Sequence, residues 1–245
     1  MTPLPPFTPA RFAEVMEATW PPHSHRDLGP FRLREGVGGG KRVSAASREA
    51  PWRDADLSAA EAAMAMPLFV LREGDEDLDR ALAARGYRIV DPVVACAAPV
   101  ARLTGDLPPM AAFAHWPPLA SALEIWAEGG IGPGRIAVMA RVQGPKSAIL
   151  ARTADRAAGV AFVACHGAEA MVHAIEVRPS ARRQGTGSTL LRAAANWAAE
   201  RGAARLSLAV TERNAPALSL YHRAGLEIVG RYHYRARPDR APVPG

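Results

Sequence analysis

The sequence has few cysteines and no long apolar run. Only two of its 245 residues are cysteine, Cys96 and Cys165. They lie far apart in apolar segments, which favours buried free thiols in a reducing compartment over a disulfide. Cysteine-rich metal spacing is absent, and we predict no bound metal. No segment approaches the roughly 20 apolar residues that a membrane span requires, and residues 1–7 lack the basic start of a targeting signal. We therefore expect a cytoplasmic protein with no membrane partner.

The composition is that of a globular chain with a modest positive charge. Hydrophobic residues make up 49% of the sequence, which is ample for a core, and the formal net charge is +6. The arginines are spread along the whole chain, and no recognition helix or aromatic RNA-binding signature accompanies them. We predict no nucleic-acid partner, and a basic surface could instead steer a small polyanion.

The most informative stretch is Val177–Ser188, with the sequence V-R-P-S-A-R-R-Q-G-T-G-S. It follows a predicted strand over residues 171–177 and precedes an alanine-rich predicted helix over residues 189–201. A strand that breaks at Pro179, turns through glycines and enters a helix leaves several backbone N–H groups without partners. The stretch therefore predicts an anion site.

The spacing within this stretch narrows the kind of anion. The last glycine is followed by Ser-Thr with no lysine, unlike a nucleotide-triphosphatase loop, and the third glycine of a dinucleotide loop is missing. The order is instead R-x-x-G-x-G at Arg182, Gly185 and Gly187, preceded by Val177-x-Pro179. This order resembles the acyl-CoA pyrophosphate loop of the GNAT superfamily of N-acyltransferases.

A second motif lies downstream. Asn214, Ala217, Tyr221 and Gly225 form N-x-x-A-x-x-x-Y-x-x-x-G, which is similar to the second GNAT motif except that Leu226 replaces the usual phenylalanine. The resemblance extends over about residues 119–234 and only weakly over the first half. It implies a GNAT fold, in which a mixed α/β, mostly antiparallel twisted sheet is flanked by helices, and acetyl-CoA as the co-substrate.

The resemblance also implies where acetyl-CoA binds. It would lie in a V-shaped gap between the strands that end at Val177 and Val210, with its pantetheine along the edge of the first strand. Its pyrophosphate would accept hydrogen bonds from the loop, where glycines at 185 and 187 would let the phosphate approach the amides. The implied cofactor-binding residues are Ile175, Val177, Arg182, Arg183, Gln184, Gly185, Thr186, Gly187, Ser188, Asn214, Ala217 and Tyr221.

The catalytic candidates are Tyr221, His173 and Glu176. Tyr221 occupies the position at which the superfamily often keeps a general acid, and the backbone N–H of Val177 would hold the oxyanion. The general base stays open, because His173 stands where several members have a glutamate, and a neutral imidazole can also accept a proton. Strand alternation places His173, Ile175 and Val177 on one face and Glu176 on the other, unless a bulge intervenes.

A short repeat indicates internal duplication. Residues 82–90, L-A-A-R-G-Y-R-I-V, have a counterpart 139 positions later in residues 221–229, Y-H-R-A-G-L-E-I-V. Helix, glycine stop and strand recur at the end of each half. We predict two tandem GNAT-like halves: a degenerate N-terminal domain over 1–102 that lacks R-x-x-G-x-G, a proline-rich linker over 103–118 and a GNAT acetyltransferase domain over 119–245.

Several local elements of the first half are also predicted from pattern. Residues 9–19 and 75–85 are expected to be helices, and residues 68–71 and 87–97 are expected to be strands. The glycine-rich stretch Gly36–Gly40 predicts a hairpin loop between strands 31–34 and 41–46. Ser58, followed three residues later by Glu61, predicts the capped start of a helix that ends at Met66.

The leading functional prediction is an N-acetyltransferase that acts on a primary amine by direct attack in a ternary complex. No cysteine near the motifs could carry an acyl group, which disfavours a two-step route. The alternative is a non-catalytic regulatory module that binds acetyl-CoA, and the presence of Tyr221 favours the enzyme. The acceptor, a small-molecule amine or a peptide, stays open, as does the choice between monomer and homodimer. His233 and Tyr234 are candidates for the acceptor pocket.

Overall fold

The fold is mixed α/β, as predicted, with a large and mostly antiparallel sheet flanked by helices. A computed structural model describes residues 6–238, so the outer ends of the two predicted domains, 1–5 and 239–245, lie outside the described residues. The helices are α1 (Pro9–Thr19), α2 (Asp54–Ala62), α3 (Glu76–Ala84), α4 (Val100–Leu103), α5 (Ala120–Glu128), α6 (Pro133–Arg141), α7 (Thr186–Ala199) and α8 (Ala215–Arg223). The strands are β1 (Ser24–Leu28), β2 (Phe31–Glu35), β3 (Ser47–Arg48), β4 (Leu68–Arg72), β5 (Arg88–Pro99), β6 (Ala112–His115), β7 (Lys146–Thr153), β8 (Arg156–His166), β9 (Glu169–Val177), β10 (Arg205–Thr211) and β11 (Glu227–Ala236).

Eight strands form the large sheet, in the order β4-β11-β5-β10-β9-β8-β7-β6. All neighbouring pairs in it are antiparallel except β9 with β10. Strands β1 to β3 form a separate antiparallel sheet, which meets the large one through a parallel bridge from Ala46 to Phe69 on β4. The parallel pair β9–β10 is connected through α7, the helix that follows the predicted anion loop.

The last strand of each half lies among the strands of the other half. Strand β5 lies between β10 and β11, and β11 lies between β4 and β5. Phe69 pairs with Arg235, and Leu208 pairs with Cys96. Phe69 and Leu208 are 139 positions apart, as are Cys96 and Arg235, which is the separation of the sequence repeat. One offset therefore relates both crossed pairs, which supports the internal duplication.

The two faces of the sheet carry different helices. Val94 and Cys96 of β5 point to the core that contains α7 and α8, whereas Val93 and Ala95 point to the core that contains α1. This alternation follows from the period of two along a strand. Helices α5 and α6 pack on the same face as α1, over β7 and β8. The sheet thus separates a face covered by α7 and α8 from a face covered by α1, α5 and α6.

The predicted hairpin around Gly36–Gly40 is wrong. Strand β2 pairs instead with β1, and residues Lys41–Val43 form a single 3₁₀ turn rather than a strand. The glycine-rich run therefore leads away from the hairpin and packs against α6, where a Cβ on Gly39 would lie 2.5 Å from a methyl group of Val138. Pattern alone gave no sign of this tertiary contact, since Val43 and Ala45 are as apolar as strand residues.

Two element boundaries in the first half and the linker also differ from prediction. Helix α2 begins at Asp54 rather than Ser58, because the Asp56 carboxylate accepts a hydrogen bond of 2.9 Å from the N–H of Arg53. Ser58 lies inside the helix and donates to the Asp54 carbonyl oxygen. Strand β6 falls within the predicted linker over 103–118 and pairs with β7, so the ordered sheet begins before residue 119.

The crossed strands should hold the two halves together even when the chain between them is cut. A protease site placed at exposed residues 108–110 should be cut without separation of the two fragments, because β5 and β11 stay paired across the cut. We expect the nicked protein to elute from a gel-filtration column as one species and to separate only in denaturant. Fragments that separate in native buffer would contradict the crossed arrangement.

Candidate active site

The two parallel strands at the centre of the sheet separate toward their carboxyl ends. Pairing between β9 and β10 ends at Val172 and Leu208, although β9 continues to Val177 and β10 to Thr211. Each strand stays paired with its outer neighbour over this length, β9 with β8 and β10 with β5. The strands therefore diverge and leave a V-shaped gap with unpaired edges, at the position implied by the family resemblance.

A bulge in β9 occurs where the gap begins. Ala174 has a positive φ of 50°, and the register with β8 shifts between Val160 and Phe162. The extra residue reverses the side-chain alternation. His173 packs on the α5 and α6 face, and Glu176 points to the same face, where a Cβ on Gly129 would lie 2.5 Å from it.

The bulge overturns one prediction about side-chain orientation. Ile175 and Val177 pack against the α7 core on the opposite face from His173, so the expected grouping of His173, Ile175 and Val177 is wrong. The two base candidates therefore share one face of β9. Trp126 fixes the bulge by donating its indole N–H to the Ala174 carbonyl oxygen at 2.8 Å.

The loop before α7 has the backbone conformation of an anion site. Arg183 and Gly185 have positive φ values of 63° and 85°, and Gly185 is the N-cap residue without any side-chain cap. The first turn of α7 contains no acidic residue. The N–H groups of Thr186, Gly187 and Ser188 lie in that first turn, where backbone N–H groups have no partner within the helix. An uncapped helix start with its positive dipole end free favours a bound phosphate group.

The two loop glycines serve different physical purposes. Gly185 has open space around its Cα and is required for its left-handed backbone conformation. Gly187 is required by packing, since a Cβ there would lie 2.9 Å from a methyl group of Leu220 on α8. This close contact holds the start of α7 against the helix that carries Tyr221, so the two sequence motifs are brought together.

Other loop residues are engaged in holding its shape. The Gln184 side-chain amide donates to the Ser180 carbonyl oxygen at 2.8 Å, and Arg182 Nε donates to the Val177 carbonyl oxygen at 3.2 Å. The buried Thr186 hydroxyl donates to the Ala181 carbonyl oxygen at 3.1 Å. These side chains stabilise the loop from within and leave its backbone amides available.

Asn214 and Ala217 bond to each other rather than point into the gap. The Asn214 side-chain oxygen accepts a hydrogen bond of 3.2 Å from the Ala217 N–H and so caps α8. The cap matters because it fixes the helix on which Tyr221 lies one turn later. Their expected contact with a cofactor remains a prediction, and their described role is to position α8.

Tyr221 lies in the core on the α7 face. It is only 6% exposed and packs with Cys96, Leu208 and Leu226 among others. Burial raises the pKa of the Tyr221 phenol above its usual range, and the neighbouring Cys96 adds to this shift. The phenol is therefore protonated near neutral pH and can donate a proton.

His173 is a buried structural residue. It is 3% exposed, with Nε2 2.8 Å from the Thr19 hydroxyl and Nδ1 3.0 Å from a nitrogen of Arg42. Because the Thr19 hydroxyl donates to the Val15 carbonyl oxygen, the ring donates from Nε2 and accepts at Nδ1. Burial and the charge of Arg42 lower the pKa of His173 well below its usual value. With both nitrogens occupied, the arrangement does not support His173 as the base.

Glu176 is better placed for proton transfer. Its side chain keeps 23% of its surface exposed, so it is accessible to solvent where His173 is not. Burial raises the pKa of the Glu176 carboxyl, and the nearby charge of Arg182, 3.6 Å away, partly opposes this effect. A partly desolvated carboxylate with a raised pKa is a stronger base than an exposed one.

His233 and Tyr234 lie on opposite faces of β11, so they do not form one pocket. His233 Nε2 is 2.8 Å from a carboxylate oxygen of Asp79 on α3. Tyr234 is 4% exposed in the core on the α1 face, where its ring packs against Tyr232. The phenols of Tyr232 and Tyr234 interact with the guanidinium of Arg42. These two tyrosines therefore help to position the Arg42 side chain.

The first half has lost the corresponding groups. By the 139-residue offset, Leu82 stands where Tyr221 stands in the second half, and Asp75 stands where Asn214 stands. Helix α2 begins with Asp54 and Asp56, which place negative charge at the end of the helix where a phosphate would bind. These substitutions leave the first half without an anion site comparable to the start of α7.

The sequence patterns did not predict that the segment 36–44 of the first half lies beside the candidate site. It brings Arg42 to His173 and Lys41 within 2.9 Å of Asp91, close to the end of β10. Its only sequence signal was Lys-Arg after a glycine run, a combination that also occurs in exposed loops. Among residues 6–238 no group of three or more metal-ligating side chains could hold a metal ion, and no helix there is long and apolar enough to cross a membrane.

Comparison with known proteins identifies a family match and solved structures of the same fold. Residues 114–226 match the acetyltransferase (GNAT) family. A GCN5-related N-acetyltransferase from Kribbella flavida shares the fold with a TM-score of 0.68 and 22% identity, over 94% of this chain and 95% of that one. A tandem GNAT protein from the clavulanic acid biosynthesis pathway has a TM-score of 0.58 and 16% identity, over 96% of this chain and 90% of that one.

Curated relatives match a shorter part of the chain. A mycothiol acetyltransferase from Clavibacter sepedonicus is 43% identical over 81 residues, which are 33% of this chain and 27% of the relative. A streptothricin acetyltransferase from Streptomyces lavendulae is 50% identical over 56 residues, which are 23% of this chain and 30% of the relative. The matches thus span between a quarter and a third of the length of these relatives.

The buried state of His173 predicts a distinct pH dependence of stability. In the unfolded chain the imidazole binds a proton near pH 6.5, whereas folded His173 stays neutral, so stability falls as the pH drops below that value. The slope is at most about 1.4 kcal/mol per pH unit. We expect His173→Gln to be less stable at pH 8, by about 1–3 kcal/mol, but to lose less stability between pH 7 and 5.

Urea unfolding at several pH values measures this effect. His25→Gln is the matched control, since His25 is exposed and its replacement should leave the pH profile unchanged. Parallel pH profiles for wild type and His173→Gln would show that His173 is not held neutral by the fold.

Proposed function

Since residues 114–226 match the acetyltransferase (GNAT) family, we propose that this protein transfers an acetyl group from acetyl-CoA to a primary amine. The observation that carries the proposal is the gap between β9 and β10, which opens beside the uncapped start of α7. Unpaired strand edges accept an extended pantetheine, and the free N–H groups of the loop accept the pyrophosphate. Acetyl-CoA is thus the co-substrate, held by residues 182–188 and by β9.

The backbone N–H of Val177 is the proposed donor to the thioester carbonyl oxygen. The N–H of Arg178 donates to the Ala158 carbonyl oxygen on β8 at 2.9 Å. Because successive N–H groups of a strand point in opposite directions, the N–H of Val177 points away from β8 and toward the gap. A fixed donor at this position stabilises the negative charge that develops on the carbonyl oxygen during attack.

Glu176 and Tyr221 are the proposed base and acid. The neutral amine attacks the thioester carbonyl carbon and forms a C–N bond, while the amine proton passes to Glu176 directly or through water. The tetrahedral intermediate then collapses, the C–S bond breaks, and Tyr221 donates its proton to the leaving thiolate. The two groups lie on opposite faces of the sheet, Glu176 beside α5 and Tyr221 in the core with α7.

Removal of the Tyr221 hydroxyl tests the acid. We expect Tyr221→Phe to reduce kcat by about 10²–10⁴-fold with little change in the dissociation constant for acetyl-CoA, because the ring still fills its place in the core. Thiol release with a panel of amines measures the rate, and calorimetry measures binding. Tight binding of acetyl-CoA by the wild type with no turnover on any amine would favour the regulatory module instead.

Replacement of Glu176 tests the base through the pH profile. A carboxylate base must be ionised, so the wild-type rate should fall as the pH drops through its raised pKa. Glu176→Gln should lower kcat by about 10²-fold or more and should lose this dependence. Glu200→Gln, an exposed change at the end of α7, is the control. A retained acidic limb in Glu176→Gln would assign the base elsewhere.

A further inference from the structure

One segment of the first half crosses the gap on the face where Glu176 lies. At one side, the Arg42 guanidinium is 3.0 Å from His173 on β9, just before the bulge. At the other side, Lys41 pairs with Asp91 at 2.9 Å, and Asp91 also lies 3.5 Å from Arg213, which follows β10. The segment 36–44 therefore contacts β9 through Arg42 and β5 through Lys41, the strands on either side of β10.

The segment is held in a fixed position. Gly38 lies against α6, where a Cβ on Gly134 would clash with the Gly38 carbonyl oxygen. A hydrogen bond of 3.0 Å from the Gly39 N–H to the Gly36 carbonyl oxygen closes the turn. Its basic side chains are thus positioned by packing rather than by a flexible loop.

In the part of the chain that the structure describes, the charge of Arg42 has no anionic partner. Within residues 6–238 no carboxylate lies within 4 Å of its guanidinium, although Lys41 and Arg213 beside it are both paired with Asp91. The groups around Arg42 are the imidazole of His173, the ring of Trp20 at 6.0 Å and the phenols of Tyr232 and Tyr234.

The lowered pKa of His173 keeps its imidazole neutral, and burial raises the pKa of the Tyr234 phenol, so neither group supplies a negative charge. A largely buried cation without a counter-ion is unfavourable, and such groups are usually paired. A buried arginine without a carboxylate partner is suited to bind a ligand that carries a negative charge.

We propose that Arg42 binds a carboxylate on the acceptor, so that the acetylated amine belongs to an amino acid or a related amino carboxylate. The guanidinium matches a planar carboxylate with two parallel hydrogen bonds. A single unpaired cation balances one carboxylate, whereas a phosphate dianion would call for a second. This inference rests on the proposed function, because it takes Glu176 as the site of the amine.

The spacing along β9 indicates how far apart the amine and the carboxylate lie. Glu176 is three residues beyond His173 on the same face, which corresponds to about 10 Å of strand. Of these two residues, the Arg42 side chain contacts His173. We infer that several bonds separate the two groups, as in an ω-amino acid or in the side-chain amine of a free diamino acid.

A matched substrate series tests the inference. The ω-amino acids from glycine to 6-aminohexanoate would be compared with the n-alkylamines of equal length, by thiol release from acetyl-CoA. We expect kcat/KM for the amino acids to rise with chain length and to exceed that of the matched alkylamine at least tenfold at the best length. Equal kcat/KM for acids and alkylamines at every length would overturn the inference while leaving the acetyltransferase intact; failure of every amine would instead count against the proposed function.

Two variants test whether the Arg42 side chain causes the preference for amino acids over alkylamines. Arg42→Gln should remove the preference for the acid, mainly through a higher KM, and Arg42→Lys should retain part of it because the charge is kept. Arg26→Gln, at an exposed arginine of the same half, should keep the wild-type preference. Melting temperature and the dissociation constant for acetyl-CoA monitor folding of each variant. A full preference retained in folded Arg42→Gln would overturn the role of Arg42.

Discussion

The structure depends on the antiparallel pairing of β5 with β11, the last strands of the two halves. Each of these strands crosses into the other half, so the pair unites the halves in one sheet. Strand β5 also pairs with one edge of β10 along the whole length of β10, from Arg205 to Thr211. With β5 fixed there, β10 can separate from β9 on its other side and keep an ordered edge. The site of the second half is thus built on a strand from the first half.

The functional asymmetry between the halves follows from a few local differences on this shared frame. The second half has an uncapped helix start without acidic residues, and the first half has Asp54 and Asp56 at the corresponding helix. Arg48 of the first half also bonds Asp75 at 2.8 Å and so ties the ends of its strands together. The first half instead places the segment 36–44 against β9 and β5. One half therefore carries the proposed chemistry, and the other contributes to the proposed acceptor site.

Sequence patterns predicted those features that depend on local backbone chemistry. The glycine turn before α7 and the repeat around Gly86 and Gly225 are short-range signals, and the strand predicted over 171–177 and the helix predicted over 189–201 correspond to β9 and α7. The bulge at Ala174 could not be predicted, because no residue type marks it and Trp126 fixes it from another element. The contact of Arg42 with His173 joins residues 131 positions apart, so it too lay beyond any local pattern. These two long-range features decide which base candidate faces the gap.

The central claim is that the gap between β9 and β10, together with the loop before α7, holds the acyl donor. A crystal structure of the protein with coenzyme A tests it most directly. The account predicts the pyrophosphate on the backbone N–H groups of residues 183–188 and the pantetheine between β9 and β10, with its sulfur near Tyr221. Coenzyme A bound at the start of α2, or on the surface outside the gap, would contradict the account.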